Sequence, residues 1–287
     1  MSPEAERPVL VLLHGLGANR HVWDGVAELL RAQGTPVLVP DFRGHGEAPW
    51  RRPYTFGAMA ADVAEASQRD FGGRPYTAVG HSMGGAVALA LATGWFGPPP
   101  TAVATIGVKL RWSDDELARI PDLAARPPRL FDDRAGAVDW FLKLSGLFGV
   151  LHADDERIEL AVEAGVMRTD TELGSAADGG SQRIDPPGPA PGWCAAQDPA
   201  TVGVGPPDMS GLLPAAKCAV AMAIGEYDPL VASDHHADLA AVAAANPRAA
   251  GVTEPHVFSG LGHNAMVEDP QRVVDWLATL PGFADVL

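Results

Sequence analysis

Ser82 stands in the stretch TAVGHSMGGAVALALAT, residues 77–93. With Gly80 two positions before it and Gly84 two after, it fits the pattern G-x-S-x-G between an apolar run and an alanine-rich one. A tight strand-to-helix turn strains the backbone at the serine. The positions two residues either side must then lack bulk, and glycine meets that need. Such a serine projects above the carboxyl ends of the strands, where ligands bind in open α/β sheets. The helix that follows points its free N–H groups at the same spot. A glycine-rich turn with an incidental serine has the same local sequence, so the rest of the chain must supply the partners of a nucleophile.

A serine hydroxyl at neutral pH needs a base. Of nine histidines, His263 in SGLGHNAMVED follows the last expected strand in a glycine-bearing loop. Sheet topology brings that loop to the edge that carries Ser82. His81 adjoins the serine but points off another part of the turn. His14 and His45 sit beside glycines in loops, and His235 and His236 fall on an expected helix. The base in turn needs a carboxylate that fixes its tautomer and stabilises the imidazolium. Asp228 in AIGEYDPLV ends an expected strand at the same edge, with Glu226 as the nearest competitor. The chain order Ser82, Asp228, His263 is that of one serine-hydrolase fold and differs from the two main protease orders. Two backbone donors complete the set. The loop LLHGLGAN offers the N–H of Leu16, and Met83 directly follows the serine. Together they would hold an oxyanion, each donor being worth about 2.7–4 kcal/mol in a transition state. The chemistry is acyl transfer to water, and it requires no metal or organic cofactor.

The same region offers a rival. Gly15-x-Gly17, a helix and a strand leading to Asp41 resemble a dinucleotide site. That site wants a third Gly or Ala at position 20, where Arg20 stands.

The elements that must position these residues follow a βαβ rhythm. Residues 8–14 (PVLVLLH) form a continuous apolar run, as expected of a strand buried on both faces. In residues 21–34, Val22, Val26, Leu29 and Leu30 share one helical face and Gly34 suits the stop. Residues 35–41 are a second strand, 55–73 a helix ending at Gly72-Gly73, 76–82 a strand, 83–94 a helix and 101–108 a strand. The rhythm returns with a strand in 219–231, the helix DHHADLAAVAAA, a final strand and loop in 255–267, and a helix in 269–280. Strands separated by helices mean a parallel sheet. Between about Lys109 and Pro214 only helical stretches are expected, and residues 174–207, rich in Gly and Pro, read as a long irregular loop. Trp193 and Val202 suggest that part of this loop packs, as the edge of a lid. The expected organisation is a sheet core in 1–108 and 214–287, with 109–213 inserted as a cap.

Composition limits the partners. A formal net charge of −15 over 287 residues repels phosphate backbones and anionic lipid, so neither nucleic acid nor a membrane is an expected partner. The two cysteines, Cys194 and Cys218, lack the close spacing of a metal or redox pair and read as free thiols. The stretch MSPEAERPVLVLL places acids before a short apolar run, unlike a secretory signal. No run approaches the ~20 apolar residues that span a bilayer. A cytoplasmic protein is the expectation.

Taken jointly, HGLGANRHVWD (14–24), PDFRGHGEA (40–48), VGHSMGGAVAL (79–89), GEYDPLV (225–231) and FSGLGHNAM (258–266) resemble the motifs of the α/β-hydrolase superfamily, in its order and roughly its spacing. The resemblance covers about residues 8–108 and 215–287. It implies an eight-stranded, mostly parallel sheet flanked by helices, with a helical cap between the sixth and seventh strands. It also implies Ser82 as nucleophile, His263 as base and Asp228 as acid. Haloalkane dehalogenases and epoxide hydrolases of this superfamily carry aspartate where Ser82 stands, and large lipases often show HGGG where this chain has HGLG. What remains resembles small carboxylesterases, lactonases, C–C bond hydrolases and cofactor-free perhydrolases, which share the catalytic motifs. A non-catalytic ligand receptor on the same scaffold is the reading of another class.

The substrate is sought in the insertion. Trp112, Phe131, Trp140, Phe141, Phe148 and Met167 are candidates for an apolar pocket, although any one of them can equally bind the insertion to itself or to the core. Trp23, just past the Leu16 loop, faces either pocket or core, and Arg111 is a candidate anion contact. The set points to a small, largely apolar acyl or ring-bearing substrate.

Overall fold

The computed structural model describes residues 8–109, 112–169, 191–231 and 254–284, with positions 238, 241, 244 and 286 besides. The strands of the main sheet are β1 (Val9–Leu13), β2 (Val37–Leu38), β3 (Tyr76–His81), β4 (Ala102–Ile106), β7 (Ala219–Gly225) and β8 (His256–Phe258). They lie in the order β2-β1-β3-β4-β7-β8, and every neighbouring pair is parallel. The resemblance implies eight strands; the described residues form six. These six fall where the sequence places strands.

The chain runs from β1 outward to β2, then returns to place β3 on the other side of β1. The loops after β1 and β3 therefore part at a topological switch point, where a crevice opens. The loop after β1 holds Leu16, and Ser82 directly follows β3.

Alternation along β1 explains the layers. Leu10 and Leu12 face one core with Val26, Leu30 and Trp276, while Val9, Val11 and Leu13 face another with Met59, Val63 and Val87. On the first face lie α1 (Asp24–Ala32) and α8 (Pro270–Ala278), and on the second α2 (Phe56–Phe71) and α3 (Met83–Ala92). Thr55 caps α2 through its side chain, and Gly72 ends it in the left-handed region at φ 64°. All of α3 is buried, which its sequence MGGAVALALA permits because it carries no charge.

The segment between β4 and β7 carries α4 (Asp114–Ala124), α5 (Arg134–Leu144), α6 (Glu159–Ala164) and α7 (Met209–Ala215). Ser113 and Glu116 close a reciprocal capping box at the start of α4. The segment also holds a feature that the helical reading missed. Strands β5 (Val166–Arg168) and β6 (Trp193–Ala195) pair antiparallel, with Val166 opposite Ala195. Each is three residues long, too short to show a period of two. The expected boundary at residues 213/214 falls inside α7, which packs on α3. The run DPPGPAPG, most of the helix expected at 234–245, and Arg111 lie outside the described residues.

Cys194 and Cys218 are both free and buried. Burial pushes the Cys194 thiol up to about 11. Among the described residues no helix is long and apolar enough to cross a membrane.

Candidate active site

Ser82 has φ 50° and ψ −116°, and it is the one non-glycine residue with positive φ among the described residues. Such a backbone costs about 1–3 kcal/mol and persists only where the surroundings hold it. Here the Ser82 N–H donates to the Ile106 carbonyl at 2.8 Å, which ties the turn to the end of β4. The adjacent glycines allow the close packing. A Cβ on Gly80 would run into the Gly84 carbonyl, and one on Gly84 into the Leu13 carbonyl.

Asp228 lies three residues beyond β7 and His263 five beyond β8. Asp228 Oδ2 is 2.7 Å from His263 Nδ1, and both residues are buried. The other carboxylate oxygen, Oδ1, accepts from the N–H groups of Leu230 at 2.8 Å and Val231 at 3.1 Å. A carboxylate so provided for is an acceptor only, so the His263 proton sits on Nδ1 and leaves Nε2 as the basic nitrogen. Glu226, the competitor, is used elsewhere: its carboxylate accepts from the Gly260 N–H at 2.7 Å.

His263 is held from three sides. Glu268 accepts from the N–H groups of both its neighbours, Gly262 at 2.8 Å and Asn264 at 3.2 Å. The His81 ring meets the His263 ring edge-on with centroids 4.5 Å apart, and His81 Nε2 lies 3.0 Å from the His263 carbonyl oxygen. On the third side is Gly107, where a Cβ would stand 3.0 Å from His263 Nδ1. Since Ile106 bonds Ser82 and Gly107 abuts His263, the end of β4 joins the serine turn to the Asp228–His263 pair. Burial, reinforced by the nearby His263, pushes His81 well below the ordinary histidine range. His81 is therefore neutral, with its N–H on Nε2 toward the carbonyl.

The loop after β1 is fixed by His14. Its Nε2 accepts from the Phe42 N–H at 3.0 Å, so Nδ1 carries the proton and donates to the Gly15 carbonyl at 2.8 Å. Burial holds His14 below the ordinary histidine range, against the opposing pull of Asp41. In a planar trans peptide the C=O and N–H point opposite ways, so a Gly15 carbonyl turned to His14 sends the Leu16 N–H away from it. Among the described residues neither the Leu16 nor the Met83 N–H has an acceptor.

Ser82, Leu16 and Met83 line one cavity of about 330 Å³. Its walls are mainly apolar, with Phe56, Val108, Trp112 and Ile120 among them. Val202, from the stretch expected to pack as a lid edge, also lines it. Of the aromatic pocket candidates, only Trp112 does. Trp23 and Phe141 are buried in the core cluster that also holds residues of α1 and α6. Trp140 and Phe131 instead flank the Arg129 guanidinium, at 5.0 and 5.1 Å. Phe148 is exposed under the Lys143 ammonium, and Met167 belongs to β5. Sequence reasoning missed Phe56, which follows a helix cap and reads there as a core position. It also missed Glu268, an acid five residues beyond the histidine whose role appears only once the loop curls.

The dinucleotide pattern fails on its acidic residue. Asp41 is engaged by Arg20 itself, through its N–H at 2.6 Å and its guanidinium at 3.0 Å, and by the Glu47 N–H at 3.1 Å.

A family model for the alpha/beta hydrolase family matches residues 10–276. Among curated proteins, protein phosphatase methylesterase 1 of Pongo abelii is 31% identical over 144 residues, covering 48% of this chain and 37% of that protein. Pimeloyl-[acyl-carrier protein] methyl ester esterase of Neisseria meningitidis serogroup B is 43% identical over 90 residues, covering 31% of this chain and 32% of that one. The chain thus spans about a third of the length of these curated relatives. Among solved structures, the thioesterase domain from the curacin biosynthetic pathway matches with a TM-score of 0.68 at 18% identity, over 96% of this chain and 92% of that one. With the model covering nearly the whole length and the fold shared along it, the chain belongs to the alpha/beta hydrolase family.

Proposed function

We propose that this protein is a serine hydrolase that cleaves a small carboxylic ester, thioester or lactone through an acyl-enzyme on Ser82. The observation that carries the reading is the buried Asp228–His263 pair, joined through the end of β4 to a strained serine that opens on an apolar cavity. The similarity to a protein phosphatase methylesterase and to a pimeloyl-[acyl-carrier protein] methyl ester esterase supports ester chemistry.

His263 Nε2 takes the Ser82 proton as Oγ attacks the carbonyl. Asp228 stabilises the imidazolium that forms. The developing oxyanion is met by the N–H groups of Leu16 and Met83, the latter at the N-terminus of α3 where the helix dipole adds to it. His263 then protonates the leaving group and activates the water that releases the acid. The segment between β4 and β7 acts as the cap that walls the acyl site, with Trp112, Ile120 and Val202 among its contributions.

The test is turnover of p-nitrophenyl, thioester and lactone panels by the wild type and by Ser82→Ala. Saturable turnover that falls by several orders of magnitude in the variant, with circular dichroism unchanged, supports the reading. Turnover that survives in Ser82→Ala, or none by the wild type on any panel, overturns it.

A further inference from the structure

The Ser82 cavity is apolar except for Lys109, Glu116 and Arg119. Two of these satisfy each other. Lys109 Nζ donates to Glu116 Oε1 at 2.5 Å and sits 4.9 Å over the Trp112 ring. The other Glu116 oxygen accepts from the Ser113 N–H at 2.9 Å, which closes the cap of α4. These donors, Lys109 foremost, hold the Glu116 carboxyl below its ordinary range. Glu116 is therefore fully engaged as an anion.

Arg119, almost one turn further along α4, is different. Asp115 and Asp122 occupy the i−4 and i+3 positions, yet among the described residues Arg119 forms no ion pair or hydrogen bond. It is exposed, while its helix neighbours Ile120 and Leu123 join the apolar wall. An arginine fork matches a carboxylate in two parallel hydrogen bonds. A guanidinium with no ion-pair partner among the described residues, on the lining of an apolar cavity, gives a carboxylate a place to end.

We infer that Arg119 is a specificity residue and that the cavity takes an acyl chain bearing a second, free carboxylate at its far end. The ester carbonyl lies at Ser82, the methylenes along the apolar wall, and the free carboxylate at Arg119. This rests on the serine-hydrolase reading and narrows its substrate to half-esters of dicarboxylic acids.

The experiment compares kcat/KM for monomethyl esters of straight-chain dicarboxylic acids, from succinate to sebacate, with methyl esters of monocarboxylic acids of the same length. The wild type is expected to prefer the half-ester at one or more lengths. Arg119→Gln is expected to lower that preference about fivefold or more, the scale of a partly solvated ion pair. Arg119→Lys keeps part of it, and Arg31→Gln, an exposed charge change on α1, keeps all of it. Preference for the neutral ester at every length, or an equal effect of Arg119→Gln on both series, overturns the inference while leaving ester hydrolysis intact. Failure of the wild type on both series, with Ser82 unreactive toward a fluorophosphonate, overturns the hydrolase reading as well.

Discussion

Asp228 presents its two carboxylate oxygens to different masters: Oδ2 to His263 Nδ1 at 2.7 Å, and Oδ1 to the backbone N–H groups of Leu230 and Val231. The amides lock the carboxylate plane, so the oxygen facing His263 cannot rotate away. Asp228→Asn keeps the shape and one acceptor. With the carbonyl oxygen retained by the Leu230 and Val231 amides, the NH₂ group faces Nδ1. His263 must then carry its proton on Nε2, where it cannot accept from Ser82. The expected result is a fall in kcat of roughly 10³–10⁴-fold with the fold retained. Steady-state kinetics with a thermal melt checks it.

Glu268 acts on His263 through the backbone. Its two oxygens accept from the amides either side of the histidine. Glu268→Gln leaves one acceptor, so one of the two N–H groups loses its partner. We expect kcat to fall about 10-fold with KM nearly unchanged, the pattern of a displaced catalytic group. The loss of stability should be about 1–2 kcal/mol. Kinetics normalised to titrated active sites separates the two effects, because a merely structural role would lower the melting temperature and leave kcat per active site unchanged.

Three fully buried histidines set the response to acid. Burial lowers His14, His45 and His81 relative to the unfolded chain, whose histidines titrate near 6.5. Below about pH 6.5 the unfolded state therefore binds protons that the folded state refuses, and stability falls as pH drops. Each such group contributes up to about 1.4 kcal/mol per pH unit between the two values. His45 meets the His14 ring edge-on at 5.2 Å, but its Nε2 has no partner among the described residues, so it is the one whose removal breaks no side-chain hydrogen bond to the loops of Leu16 and Ser82. His45→Asn should flatten the loss of stability between pH 6.5 and 5 by about one proton. Urea unfolding at a series of pH values reads this slope directly, and an unchanged slope would count against the assignment.

The four central strands were legible because parallel strands buried on both faces are written as unbroken apolar runs; the edge strands β2 and β8, only partly buried, were legible from the βαβ rhythm. The resemblance implied two strands more than the described residues form. Ser82, Asp228 and His263 were legible because each stands just past a strand end, where position in sequence translates into position in space. The pocket was not. Trp23 and Phe141 are large apolar residues at plausible places, and only the direction of the side chain decides whether such a residue lines a cavity or fills a core. Phe56 and Arg119 sit on helices whose docking depends on contacts distant in sequence. The same holds for Tyr54, whose hydroxyl donates to the buried Asp198 carboxylate at 2.7 Å, 144 positions away. No local pattern records such a pair.

The proposed mechanism stands on Ser82 being a nucleophile activated by His263. Mass spectrometry of the folded protein after exposure to a fluorophosphonate tests it most directly. One phosphonyl adduct per chain is expected, located on the peptide carrying Ser82, absent in Ser82→Ala and slowed by orders of magnitude in His263→Ala. A folded protein that acquires no adduct, or acquires it equally in Ser82→Ala, would contradict it.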